Sequence, residues 1–90
     1  MAIKTISYDL YKPKSGHDYE ALFKAIRSFP GHCHAMDSVW LVATNKSCQE
    51  VYEELAPHIN KGDFVLVNAL SPYRKGLLKK SVWEWLKKHE

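Results

Sequence analysis

The stretch TISYDLYKP, residues 5–13, sets Ile6, Tyr8 and Leu10 on one side of an extended chain and Thr5, Ser7 and Asp9 on the other. That alternation demands a sheet packed on one face and open on the other, because a strand buried on both faces reads as an unbroken apolar run. It also ends on a carboxylate. Asp9 either serves the turn that leads to Pro13 or is a functional group displayed at the end of a strand.

The rest of the chain supplies partners for this strand. Residues 11–17, with Pro13 and Gly16, read as a loop. Tyr19, Leu22, Phe23 and Ile26 recur at helical spacing, with Asp18 as a cap and Pro30-Gly31 as the stop. Residues 32–36 form a weak strand, and Met36-Asp37-Ser38 turns into VWLVAT, residues 39–44, a strongly β-forming run. Ser47 and Glu50 spell a capping box for a second helix carrying Val51, Tyr52, Leu55 and Ile59, which Pro57 ends or kinks near Ala56. DFVLVNAL, residues 63–70, is a fourth strand. Residues 71–76 make a turn-rich connector, and Leu77 to Lys88 read as an amphipathic helix with Leu78, Val82, Trp85 and Leu86 on one side.

The order β-α-β-β-α-β, followed by a helix, predicts an α+β fold: a ferredoxin-like antiparallel sheet with both internal helices on one face. The predicted organisation is a ferredoxin-like domain over residues 1–70 and a basic connector and helix over 71–90. On the bare face, strand one places Thr5, Ser7 and Asp9. Strand three has two registers, Val39/Leu41/Ala43 or Trp40/Val42/Thr44. If the first set is core, Trp40 and Val42 lie exposed, and with Trp83 they form an interface that a second copy of the chain would cover about a two-fold axis. The alternative is that the C-terminal helix, with Trp83, Trp85 and Leu86, folds back over that face.

Ninety residues suffice for one small domain with a thin stability margin, which association would widen. No apolar run approaches the ~20 residues that span a bilayer, and no signal-peptide pattern opens the chain, so a cytoplasmic protein without membrane contact is expected. Cys33 and Cys48 make no disulfide framework. Charge is segregated. Residues 1–70 carry seven Lys and Arg against eight Asp and Glu, whereas residues 71–90 carry six against two, a local excess of four positive charges. Arg74, Lys75, Lys79 and Lys80 are therefore candidate phosphate-binding residues for DNA or RNA, with Lys87 and Lys88 further on; a solvated helix face gives the same pattern. His32 and His34 share a strand face and could ligate a transition metal with Asp37 or His58, a spacing of low specificity.

ISYDLYKP, DYEALFKAI, MDSVWLVAT, VYEELAPHI and DFVLVNAL, in that order across residues 3–70, resemble the small bacterial family labelled SinR-like. That family is similar in fold to the CRISPR-associated endonuclease of the spacer-acquisition complex; a resemblance to VapD-like ribonucleases is weaker. The motifs carrying the resemblance are Tyr8-Asp9 and Asp37 to Trp40. It implies a symmetric homodimer in which Asp9 approaches its two-fold mate, a pair that in some members binds a divalent metal and assists phosphodiester cleavage. By its chemistry a hard cation such as Mg2+ suits such a pair, and Ser7 and Ser38 are candidates to position water. In other members the dimer is only a scaffold for duplex DNA. Two like charges at such an axis need a cation between them or a shared proton. The tail SPYRKGLLKKSVWEWLKKHE departs from the family pattern, so no family contacts carry over to it. Two functions are thus expected as alternatives: a dimeric nucleic-acid-binding protein with weak metal-dependent nuclease activity, or a non-catalytic interaction module, such as a mobile-element inhibitor of a host defence system.

Overall fold

The computed structural model describes residues 1–11 and 19–90. The expected cap Asp18 and most of the loop at 11–17 lie outside the described residues. Four strands and three α-helices follow in the order β1 (Ala2–Asp9), α1 (Glu20–Arg27), β2 (Gly31–Met36), β3 (Val39–Thr44), α2 (Cys48–Leu55), a 3-10 turn (Ala56–His58), β4 (Phe64–Ala69) and α3 (Lys80–His89). The sheet order is β2-β3-β1-β4, and every neighbouring pair is antiparallel. The architecture is α+β and consistent with a ferredoxin-like fold.

Local chemistry accounts for the element boundaries. The Ser47 hydroxyl accepts from the Glu50 amide (3.1 Å) and the Glu50 carboxylate accepts from the Ser47 amide (2.8 Å), which closes the expected capping box. Those bonds to Ser47 hold the Glu50 carboxyl below its ordinary range. α2 ends at Leu55, and Pro57 is accommodated in the 3-10 turn that follows. α1 stops earlier than expected, on a Ser28 cap, and Gly31 instead opens β2. A Cβ at Gly31 would sit 2.9 Å from the Ala43 Cβ and 3.1 Å from the His89 ring, so glycine there permits close approach of β2, β3 and α3. Asp63 clasps the edge strand to the sheet centre: its Oδ1 accepts from the Tyr11 amide (2.7 Å) and the Tyr19 hydroxyl (2.8 Å), and its Oδ2 accepts from the Asn60 amide (2.8 Å).

Two apolar clusters sandwich the sheet. On one face Ile6, Trp40 and Val42 pack with Leu22 and Ile26 of α1 and Val51 and Leu55 of α2. On the other, Ile3, Ala35 and Leu41 pack with Val82 and Leu86 of α3. Strand β3 therefore takes the second of its two registers. Trp40 is 6% exposed and Val42 is fully buried, which corrects the expectation that they form an intersubunit surface. The large indole is held inside because its ring packs between Phe23 (centroids 6.2 Å apart) and His34 (4.3 Å), and its Nε1 donates to the Tyr8 hydroxyl (3.0 Å). Trp83 and Trp85 are half-buried against the α3-side cluster. The C-terminal helix, rather than a second chain, thus lies over the part of the second face formed by Ile3, Ala35 and Leu41.

If α3 is part of the cooperative unit, Leu86→Ala should lower unfolding free energy by about 2–4 kcal/mol, as buried leucine truncations do. Urea denaturation checks this; a helix that rests loosely on the sheet would give a change near zero.

Candidate functional site

The site is built where β1 ends beside the β2–β3 turn. Ser7 pairs with Val39 across the ladder, and the Tyr8 amide donates to the Ser38 carbonyl (3.1 Å), so the turn at Asp37-Ser38 lies against the Tyr8-Asp9 end of β1. Ser7, half-buried, and Asp9, exposed, share the α3-side face of the sheet; Ser38 is exposed on the turn. The two carboxyl-end neighbours diverge: Asp9 is opposite Phe64 of β4 in the ladder, on the far side of β1 from β3. The chain therefore brings Ser38 to the backbone of Tyr8 but sets Asp9 towards the edge strand.

The best-formed constellation at this end joins residues that the sequence singled out for other roles: His34 and Asp37 as candidate metal ligands, Trp40 as an intersubunit residue, and Tyr8 as half of the Tyr8-Asp9 motif. The Tyr8 hydroxyl accepts from Trp40 Nε1 (3.0 Å) and donates to the Asp37 carbonyl (3.2 Å). His34 lies across β2–β3 from Trp40 and stacks on the indole with planes 7° apart, while its Nε2 is 3.2 Å from the same Asp37 carbonyl. Burial pushes the Tyr8 phenol above its ordinary value, against the opposing pull of the Trp40 hydrogen bond, and the nearby Asp37 carboxylate pushes it further up. The turn alone would not have revealed this cluster: a two-residue turn at Asp37-Ser38 sets Ala35 opposite Trp40, and the register shift between His34 and Met36 brings His34 there instead.

A groove of about 540 Å³ runs from this constellation to the start of α3, lined by His34, Met36, Asp37, Leu77, Leu78 and Lys79. It joins the strand-end residues to the basic tail. Arg74 is largely neutralised: its guanidinium pairs with Glu90 (2.5 Å) and donates to the Ser71 carbonyl (3.1 Å). Lys75, Lys79 and Lys80 are exposed, as are Lys87 and Lys88. With Val82 and Leu86 buried against the sheet, α3 turns Lys80, Glu84, Lys87 and Lys88 outward.

The residues fit a resident metal poorly. No three His, Cys, Asp or Glu side chains converge among the described residues, and His34 is engaged in stacking on Trp40. Asp9 offers one carboxylate from one chain, with no second acidic side chain converging on it among the described residues. Cys33 and Cys48 are free, and burial pushes the Cys33 thiol up. No helix among the described residues is long and apolar enough to cross a membrane. The chain matches no family model, no curated protein and no solved structure.

The Tyr8 phenol has a linked pH dependence. Its folded-state pKa is raised, so its contribution to stability is complete below the ordinary tyrosine value near 10 and is lost as pH rises through the folded value. Tyr8→Phe should cost about 1 kcal/mol at pH 8 through the lost hydrogen bonds, and the gap to the wild type should narrow above pH 10. Urea midpoints measured from pH 8 to 11 on both proteins decide it; a constant gap would contradict the assignment.

Proposed function

We propose that this chain is a nucleic-acid-binding protein of ferredoxin-like, split βαβ topology, which engages the phosphate backbone through the exposed lysines of its connector and α3. The observation that carries the reading is the groove lined by His34, Asp37 and Lys79 at the start of α3, with the exposed Lys75 and Lys80 close by in sequence. Cations provide sequence-independent attraction to phosphates. Read from the β4 edge, the strand order is 4-1-3-2, with the β1–α1–β2 unit split by β3, which supports the fold assignment. The SinR-like motifs over residues 3–70 support a role in or near a defence system. A cytoplasmic location accords with two free thiols.

Binding is favoured over cleavage, because a lone Asp9 beside Ser7 lacks the second acid, base or arginine that phosphodiester hydrolysis draws on. A second reading, a protein-interaction module, is favoured by β4. This is an edge strand whose Phe64 and Leu66 side chains are 71% and 63% exposed, a combination open to strand addition by a partner or by a second copy in a homodimer.

Fluorescence anisotropy with labelled single- and double-stranded DNA and RNA separates these. On duplex DNA, affinity should fall with salt, and Lys79→Gln with Lys80→Gln should flatten the log–log salt slope by about two, roughly one per lysine engaged. Magnesium-dependent cleavage abolished by Asp9→Ala would restore the nuclease reading. No binding to any of these nucleic acids at low salt would leave the interaction module.

A further inference from the structure

β4 is an edge strand without the usual guards. Natural sheets protect an open edge with charged side chains, proline or a bulge. β4, FVLVNA, has no charged residue and no proline, and its ladder with β1 runs without a register shift from Asp9–Phe64 to Lys4–Ala69. The other edge, β2, is guarded: its register with β3 shifts between His34 and Met36, and His89 of α3 lies against Gly31. A head-to-tail stack of chains, β4 on β2, is therefore blocked. What β4 can still pair with among copies of this chain is β4 itself.

The backbone fixes how. The Leu70 amide donates to the Ile3 carbonyl (3.0 Å) and the Tyr8 amide to the Ser38 carbonyl (3.1 Å), so the odd residues of β1 turn their backbone groups to β4 and the even ones to β3. Leu66 and Asn68 then spend their backbone groups on Ser7 and Thr5, while Val65 and Val67 turn theirs outward. The groups on either side are taken. The Asp63 amide donates to the Asn60 carbonyl (3.0 Å), and the Ala69 carbonyl accepts from the Asn68 side chain (3.3 Å).

We propose that a second copy of this chain pairs along β4, antiparallel about a two-fold axis normal to the sheet, with Leu66 opposite its mate. In this register Val65 of each chain exchanges both hydrogen bonds with Val67 of the other. Sliding the strands by two residues either way would call on the Asp63 amide or the Ala69 carbonyl, both occupied. Leu66, exposed in one chain, meets its mate as a close cross-strand pair. The axis keeps like faces together, so both α3 helices, with Lys80, Lys87 and Lys88 on their outer sides, lie on one side of the joined sheet. The inference rests on the strand-addition reading of β4 and names the strand that is added.

Sedimentation velocity on the full chain should show a monomer–dimer equilibrium between micromolar and millimolar concentration, the weak association expected of so small a contact. Leu66→Lys, an exposed change, sets two ammonium groups face to face. It should weaken association about tenfold, more at low salt than at high. With Cys33 and Cys48 replaced by serine, Leu66→Cys should cross-link on oxidation. Phe64→Cys, likewise exposed and on the same face, should not, because its mate lies about 13 Å away along the strands. Hydrogen exchange separates the two ways to fail, since the Val65 and Val67 amides should become protected as concentration rises. Protection already complete in the monomer would overturn strand addition at β4 altogether. Fast exchange in a chain that stays monomeric at millimolar concentration overturns the second copy but leaves the edge open to a foreign strand. A dimer unchanged by Leu66→Lys, or cross-linked equally through Phe64→Cys, overturns the proposed pairing.

Discussion

The structure depends on β1 having helices packed against both of its faces. It pairs with β3 on one side and β4 on the other, so its two faces form the middle of the sheet. Ile6 anchors it to α1 and α2, and Ile3, three residues earlier and of opposite parity, anchors it beneath α3. A chain of ninety residues has little surface to spare for a core. Seating α3 on Ile3, Ala35 and Leu41 turns a two-layer domain into a three-layer one and gives the sheet's second face an apolar cover of its own.

That cover decides what the rest of the face can do. Because α3 and its connector lie over β2, β3 and the start of β1, only the strip of Ser7, Asp9, Phe64 and Leu66 towards β4 keeps the open character that the alternating strand implied. The same docking gives α3 a fixed outer face, so its lysines form a surface held by the fold instead of a loose basic tail. Basic surface and open strip both follow from where one ten-residue helix packs.

The strand-end cluster illustrates how a buried aromatic organises polar neighbours. Trp40 sits in the core with its single donor needing a partner, as buried indoles do. Tyr8 provides it, and the Tyr8 hydroxyl then donates to the turn at Asp37, where His34 also lands. A packing requirement thereby positions the histidine and the turn that line the groove leading to Lys79.

Much of this was legible in the residues. The capping box at Ser47, the turn at Asp37-Ser38, the four strands and the amphipathic α3 are written in local patterns, because caps, turns and periodicity are set by neighbours a few residues apart. The alternation of β1 likewise assigned Ile6 and Tyr8 to one face and Ser7 and Asp9 to the other. VWLVAT could not assign itself. Apolar side chains point both ways along that run, so parity carries no information about which set meets α1 and α2. The long-range packing of Trp40 against Phe23 and Leu41 against Leu86 made that choice, and so decided that the second face is covered from within the chain, because such contacts join segments that no local pattern links.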